Sequence, residues 1–194
     1  MTPSTLQDSE GLTEIFFAHR NQKKAEAAAK EVSRAGGNKS NVQSYAADLS
    51  SLDQTKALAQ QIQKDHPSVD VMLNNAGVFA DKMVTTEDGY ELTWQVNVLA
   101  PYVLTSLLLH SVKERIVNVS SISAGSRMDF DNLNQEKGFS QHNAYSLSKL
   151  AMMMLTVEQA ERLSGRPPTV NCLDPGTVNT KMLIAGRLCT QHRA

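Results

Sequence analysis

The chain has 194 residues, enough for a domain with a real core, and its 41% apolar content excludes a disordered chain. A formal net charge of −1, with acids and bases interspersed, gives no electrostatic reason to expect nucleic acid or an anionic membrane surface as partner. The two cysteines, Cys172 and Cys189, exclude a disulfide scaffold and a cysteine-based metal centre, so no metal site is expected, and they fit a reducing, cytoplasmic compartment.

The first twenty residues carry acids and no long apolar run, so no signal peptide is expected. No segment approaches the roughly 18–20 apolar residues of a membrane-spanning helix. The most apolar stretch, Val96 to Leu109, is interrupted by Asn97, Pro101 and Thr105. In chain order, Glu14 to Ala18 predicts a strand, and Asn21 to Arg34 a helix stopped by Gly36-Gly37. Asn41 to Ala46 predicts a second strand, Leu52 to Lys64 a helix with Pro67 beyond it, and Val69 to Leu73 a third strand of buried type. Thr86 to Leu109 predicts one long helix, Arg115 to Val119 a fourth strand, Ala144 to Leu163 a strong helix, and Thr169 to Leu173 a fifth strand.

Strands separated by helices imply parallel pairing with helical crossovers, hence an open α/β sheet. Such sheets bind ligands at the carboxyl ends of their strands. His19-Arg20, Asp48, Asn74-Asn75, Ser120-Ser121 and Pro175-Gly176 all follow strands. Each alone reads equally well as an ordinary turn; the series along one edge points to a site.

Tyr145 and Lys149 stand one helical turn apart on one face. An ammonium near a phenol favours phenolate, which would make Tyr145 a usable acid or base near neutral pH. The same pair also describes a solvated helix face. Asn74-Asn75-Ala76-Gly77 follows a strand with small residues that let a flat ligand approach the backbone, or forms a plain strand-to-helix turn. A hydroxyl at Ser120 or Ser121 could polarise a substrate carbonyl. No Gly-x-Ser-x-Gly surrounds these serines, which argues against a hydrolase elbow.

Taken in order, Asn74-Asn75-Ala76-Gly77, Asn97 within Gln95 to Ala100, Ser121, Tyr145-x-x-x-Lys149 and Pro175-Gly176-Thr177-Val178 resemble the short-chain dehydrogenase/reductase family. The resemblance runs from Glu14 to Ile184 of a single domain spanning 1–194, with 1–13 and 185–194 diverging. It implies a Rossmann-like, doubly wound parallel sheet in three α/β/α layers. It implies a nicotinamide-dependent oxidoreductase that interconverts an alcohol and a carbonyl. Tyr145 would exchange a proton with the substrate oxygen. Lys149 would lower the tyrosine pKa and hold the nicotinamide ribose. Ser121 would orient the substrate, and Asn97 would complete a proton relay through water. Asn74, Ala76 and Gly77 would line the cofactor, Asp48 would meet the adenine, and Pro175, Gly176, Val178 and Thr180 would contact the nicotinamide side. Arg20 occupies the position that faces the adenosine ribose; there it would suit the 2′-phosphate of NADP, or it is a solvated arginine opening a loop.

The segment Asp129-Phe130-Asp131-Asn132-Leu133 and the Ser148-Lys149-Leu150-Ala151 run resemble the retinol-dehydrogenase-like branch, implying an apolar small-molecule substrate. The family's opening strand and Gly-rich turn are not matched by Met1 to Thr13, which holds one glycine, Gly11, and the tail after Gly176 is short and polar. The expected sheet is therefore incomplete, lacking its first and last strands. Two functions follow: an active oxidoreductase, or a truncated, non-catalytic form acting as a binding partner. The helices carrying Asn97 and Tyr145 would be the surface for such pairing or for a homodimer.

Overall fold

The computed structural model describes residues 14–35 and 41–176. The chain divides into two compact units, the first ending at Leu49 and the second beginning at Ser50. Every predicted strand forms, and among the described residues the five strands make two parallel sheets.

The first unit is one strand–helix–strand crossover. β1 (Glu14–His19) and β2 (Asn41–Ala46) pair in parallel from Glu14 opposite Asn41 to His19 opposite Ala46. α1 (Gln22–Ala35) connects them and starts where the Asn21 side-chain oxygen accepts from the Lys24 N–H at 3.1 Å. Ala25, on the first turn of α1, is fully buried.

In the second unit α2 (Leu52–Asp65) is capped by Ser51, whose hydroxyl accepts from Gln54 N–H, and buries Thr55, Leu58, Ala59 and Ile62. The sheet order is β3 (Val69–Asn74), β4 (Val112–Val119) and β5 (Thr169–Leu173). Parallel register places Met72, Ile116 and Val170 side by side, followed by Asn74, Asn118 and Cys172. This row faces inward: Ile116 is 0% and Asn118 1% exposed. α5 (Gln141–Leu163) packs on β4 and β5 and presents buried Ala144, Leu147, Ala151 and Met152.

The opposite face of the same sheet is open among the described residues. Side chains alternate along a strand, and Val71, Leu73 and Leu173 on that face are 48, 47 and 41% exposed. The third strand, read as buried from its apolar run, is thus covered on one side only.

The stretch expected to be one helix from Thr86 to Leu109 begins instead as a tight turn. Gly89 takes φ 85°, the Thr86 N–H donates to the Tyr90 carbonyl, and Thr85 bridges to Glu91. Helix follows as α3 (Leu92–Trp94), a π-helical turn (Gln95–Leu99) and α4 (Ala100–Leu108). A 3₁₀ turn at Phe130–Asn132 lies between β4 and α5. No helix among the described residues is long and apolar enough to cross a membrane.

Ile116→Ala is expected to cost about 2–5 kcal/mol, since the central strand has no room to collapse onto the lost side chain. Urea unfolding followed by circular dichroism reads this directly, and a cost below about 1 kcal/mol would contradict the core described above.

Candidate active site

The carboxyl ends of β3, β4 and β5, together with α5 and the π turn, assemble one polar cluster. Its anchor is Lys149, only 4% exposed. The Lys149 ammonium donates to the Val119 carbonyl at the end of β4 at 2.9 Å, and the Ser120 hydroxyl donates back to the Lys149 carbonyl at 2.8 Å. Helix and strand end are thereby tied in both directions. The pair Ser120-Ser121 divides its work: Ser120 is buried and holds α5, whereas the Ser121 hydroxyl acts on the Tyr145 phenol and favours its ionised form. The Ser121 oxygen also accepts from the Ser123 N–H at 3.1 Å, which fixes its direction.

Tyr145 lies one turn before Lys149, with the ammonium 5.5 Å from its ring centre. Burial pushes the Tyr145 phenol above its ordinary value, the neighbouring Ser121 hydroxyl opposes this, and the Asp174 carboxylate adds to the rise. Adjacency in the sequence predicts that Lys149 lowers the phenol. This geometry gives a different balance, because the lysine is itself held below its usual value by burial and is committed to Val119.

Asn97 sits on the π turn and is 2% exposed. The Glu91 carboxylate caps the start of this helix, accepting from Thr93 and Trp94 N–H at 2.9 and 2.8 Å. The helix then widens, and the Ala100 N–H closes on the Gln95 carbonyl. Pro101 follows, with no N–H to offer the Asn97 carbonyl one turn back. The Asn97 side chain is fully engaged. Its oxygen accepts from Val78 N–H at 2.8 Å, and its nitrogen donates to the Val78 carbonyl and the Ser148 hydroxyl, both at 3.0 Å. Ser148, completely buried, donates in turn to the Tyr145 carbonyl at 2.7 Å.

Gly77 closes the cluster. A Cβ there would stand 3.4 Å from the Asn97 oxygen and 3.7 Å from the Lys149 ammonium. With no side chain at Gly77, and with Lys149 using one of its three N–H groups on Val119, the residues present fit the sugar hydroxyls of a nicotinamide ribose. Ala76 is exposed beside it. Asn74 points elsewhere: its amide donates to Thr105 at 3.0 Å and to Asn118 at 2.8 Å, and Asn118 donates on to Thr156 at 2.9 Å. This buried polar chain ties β3 and β4 to α4 and α5. Pro175 and Gly176 are exposed after β5, Gly176 with φ 70°.

The structure therefore brings Tyr145, Lys149, Ser121, Asn97 and Gly77 together. Arg20 and Asp48 lie in the first unit, at the carboxyl ends of β1 and β2. Val178 and Thr180 lie outside the described residues. Sequence reasoning missed Ser120 and Ser148 as structural partners of the cluster. Their only signal was adjacency to Ser121 and Lys149. Among the described residues no group of three or more His, Cys, Asp or Glu side chains could hold a metal ion.

The family model for short chain dehydrogenases matches residues 6–187 of the chain. Human retinol dehydrogenase 13 is 39% identical over 174 residues, covering 87% of this chain and 52% of that protein. Polyprenol dehydrogenase of Danio rerio is 37% identical over 146 residues, covering 70% of this chain and 45% of the relative. Among solved structures, a blue fluorescent protein from a metagenomic library in complex with NADPH is 27% identical with a TM-score of 0.67, covering 87% of this chain and 66% of the other. The chain spans about half the length of the curated relatives it matches.

At pH 7 Lys149→Met should gain an electrostatic advantage by losing a buried charge, set against the lost bond to the Val119 carbonyl, and only the first of these depends on pH. The folded state depresses the lysine pKa, so the stability tied to this group is present above its ordinary value of 10.5 and lost as pH falls through the folded value. The advantage of the variant should accordingly shrink as pH rises toward alkaline values. Melting curves across pH check this; an advantage that grows with pH would reverse the sign argued here.

Proposed function

Because the chain belongs to the short-chain dehydrogenase family, we propose that it interconverts an alcohol and a carbonyl compound with a nicotinamide cofactor, Tyr145 serving as acid and base. The observation that carries this reading is the half-buried Tyr145 phenol, with the Ser121 hydroxyl acting on it and the buried Lys149 ammonium one turn away, 5.5 Å from its ring centre. When bound, the cofactor supplies or accepts the hydride.

The residues of the chain do the rest. Ser121, fixed by the Ser123 N–H, directs its hydroxyl toward the substrate oxygen beside the phenol. In the reducing direction Tyr145 gives its proton to that oxygen; in the oxidising direction it takes the proton back. Lys149 would hold the ribose hydroxyls of the cofactor through its remaining N–H groups. The Asn97 amide is spent on Val78 and Ser148, so a water that relays the proton would rest on the Asn97 backbone carbonyl. Pro101 cannot occupy that carbonyl as an ordinary helical residue would. Asp48 and Arg20 are assigned to the adenosine end, Arg20 favouring NADP through the 2′-phosphate. The likeness to a protein solved with NADPH supports the same choice. Relatives named for retinol and polyprenol support an apolar, isoprenoid-like alcohol or aldehyde as substrate. Ile122, next to Ser121 and 87% exposed, is an apolar surface suited to such a molecule.

The test is NADPH titration of the purified chain by nicotinamide fluorescence, followed by turnover of an apolar aldehyde. Tyr145→Phe should lower the turnover rate by about 10²–10⁴-fold with the circular dichroism spectrum unchanged. Full activity in that variant would sink the assignment of the acid and base. The raised phenol keeps its proton at neutral pH, so reduction should run at pH 7 and fall in alkali. Oxidation, which needs phenolate, should rise with pH. Reduction that rises with pH, or oxidation that falls with it, would contradict the role.

A further inference from the structure

The ring of Phe79 meets the ring of Tyr145 edge to face, with centroids 5.0 Å apart and planes at 72°. The same ring meets His142 at 5.4 Å and 70°. Phe79 thus wedges between two side chains of α5, one of which carries the acid/base role proposed above. An edge-to-face pair of this kind favours one mutual orientation beyond what apolar burial alone would select.

What holds Phe79 there is also visible. It follows Val78, whose N–H and carbonyl are both bound by the Asn97 amide at 2.8 and 3.0 Å. Asn97 is oriented by Ser148 at 3.0 Å, and Ser148 is fixed to the Tyr145 carbonyl at 2.7 Å. The hydrogen bonds run from Tyr145 through Ser148 and Asn97 to Val78, and the next residue returns to the Tyr145 ring. The loop after β3, the π turn and α5 are joined in one closed circuit.

We propose that Phe79 is a positioning residue for Tyr145, held on the phenol ring by the Ser148–Asn97–Val78 hydrogen bonds, and that it sets both the orientation of the ring and its shelter from water. The functional meaning of this inference rests on Tyr145 being the acid and base; the contact itself does not. The groups that face the phenol are Ser121 from the loop after β4, Asp174 from the loop after β5, and Lys149 on its own helix, with His142 reached across Phe79. Burial has the largest influence on the phenol, and removing a covering ring acts on that influence while leaving the named charges in place.

The experiment follows the phenol in the chain without cofactor. Tyrosine labelled with ¹³C at Cζ gives four signals, and Tyr145→Phe identifies the one that matters. Phe79→Ala should lower the titration midpoint of Tyr145 by about half a pH unit or more by admitting water. Phe79→Leu, which keeps most of the apolar cover, should leave it near the wild-type value and also serves where the alanine variant does not fold. Ser148→Ala, which frees Asn97 from α5, should shift the midpoint the same way by a smaller amount. An unmoved midpoint in folded Phe79→Ala, or a Phe79→Leu midpoint as low as that of alanine, overturns the positioning role. An unmoved midpoint in Ser148→Ala overturns the hydrogen-bonded support. None of these readings needs NADPH, so a chain that shows the shifts but binds no cofactor removes the proposed activity and leaves this inference standing.

Discussion

The site depends on how α5 is fastened to the end of β4. Lys149 reaches down to the Val119 carbonyl while the Ser120 hydroxyl reaches up to the Lys149 carbonyl. A buried ammonium is costly unless its donors are used, so a strand end with a carbonyl facing the helix is a condition for placing lysine there at all. Once that fastening is made, the rest follows in order along the helix. Ser148, one residue earlier, faces Asn97; Tyr145, one turn earlier, faces Ser121.

Beneath this layer lies a second one made of uncharged polar groups. Asn74, Thr105, Asn118 and Thr156 hand hydrogen bonds from β3 through β4 to the helices, and the Thr156 hydroxyl ends the chain on the Met152 carbonyl at 2.7 Å. Each member satisfies a group that would be expensive to leave unpaired in the interior. The two layers do different work. The upper one holds groups whose protonation can change, and burial moves Tyr145 and Lys149 in opposite directions from their ordinary values. The lower one holds the strand spacing on which the upper one stands.

Much of this arrangement was legible in the residues. Alternating strand and helix patterns located all five strands, and Asn41–Ala46 and Thr169–Leu173 were bounded as the structure has them. Tyr145, Lys149, Ser121 and Asn97 stand out in the sequence by spacing and position after strands, and the fold brings them together. What was hidden depended on three-dimensional neighbours. The turn at Gly89 and the widening at Gln95–Leu99 were absorbed into one long helix, because the apolar spacing there is broadly helical and the break arises from a buried cap at Glu91 and a missing N–H at Pro101. The Tyr145 phenol is a similar case, since adjacency to Lys149 predicts a lowered value and burial raises it. Adjacency to lysine is visible in a sequence, whereas shelter from water is a property of packing. The half-exposed face of β3 shows the same limit, since an apolar run does not say which of its two faces is covered.

The π turn has a consequence for how this chain tolerates change. It stores one residue more than ordinary α-helical winding between Trp94 and Ala100 would take up. Successive residues of an α-helix are separated by about 100° around the axis. A single-residue deletion within Gln95–Leu99 would therefore restore regular winding with the flanking turns still in phase, and only residues inside the turn, Asn97 among them, would be re-aimed around the axis. Asn97 would leave Val78 and Ser148 even though no residue of the polar cluster had been substituted. Length, at this one point, carries as much information as residue identity, and an alignment that closes a gap here by one position would describe a different site.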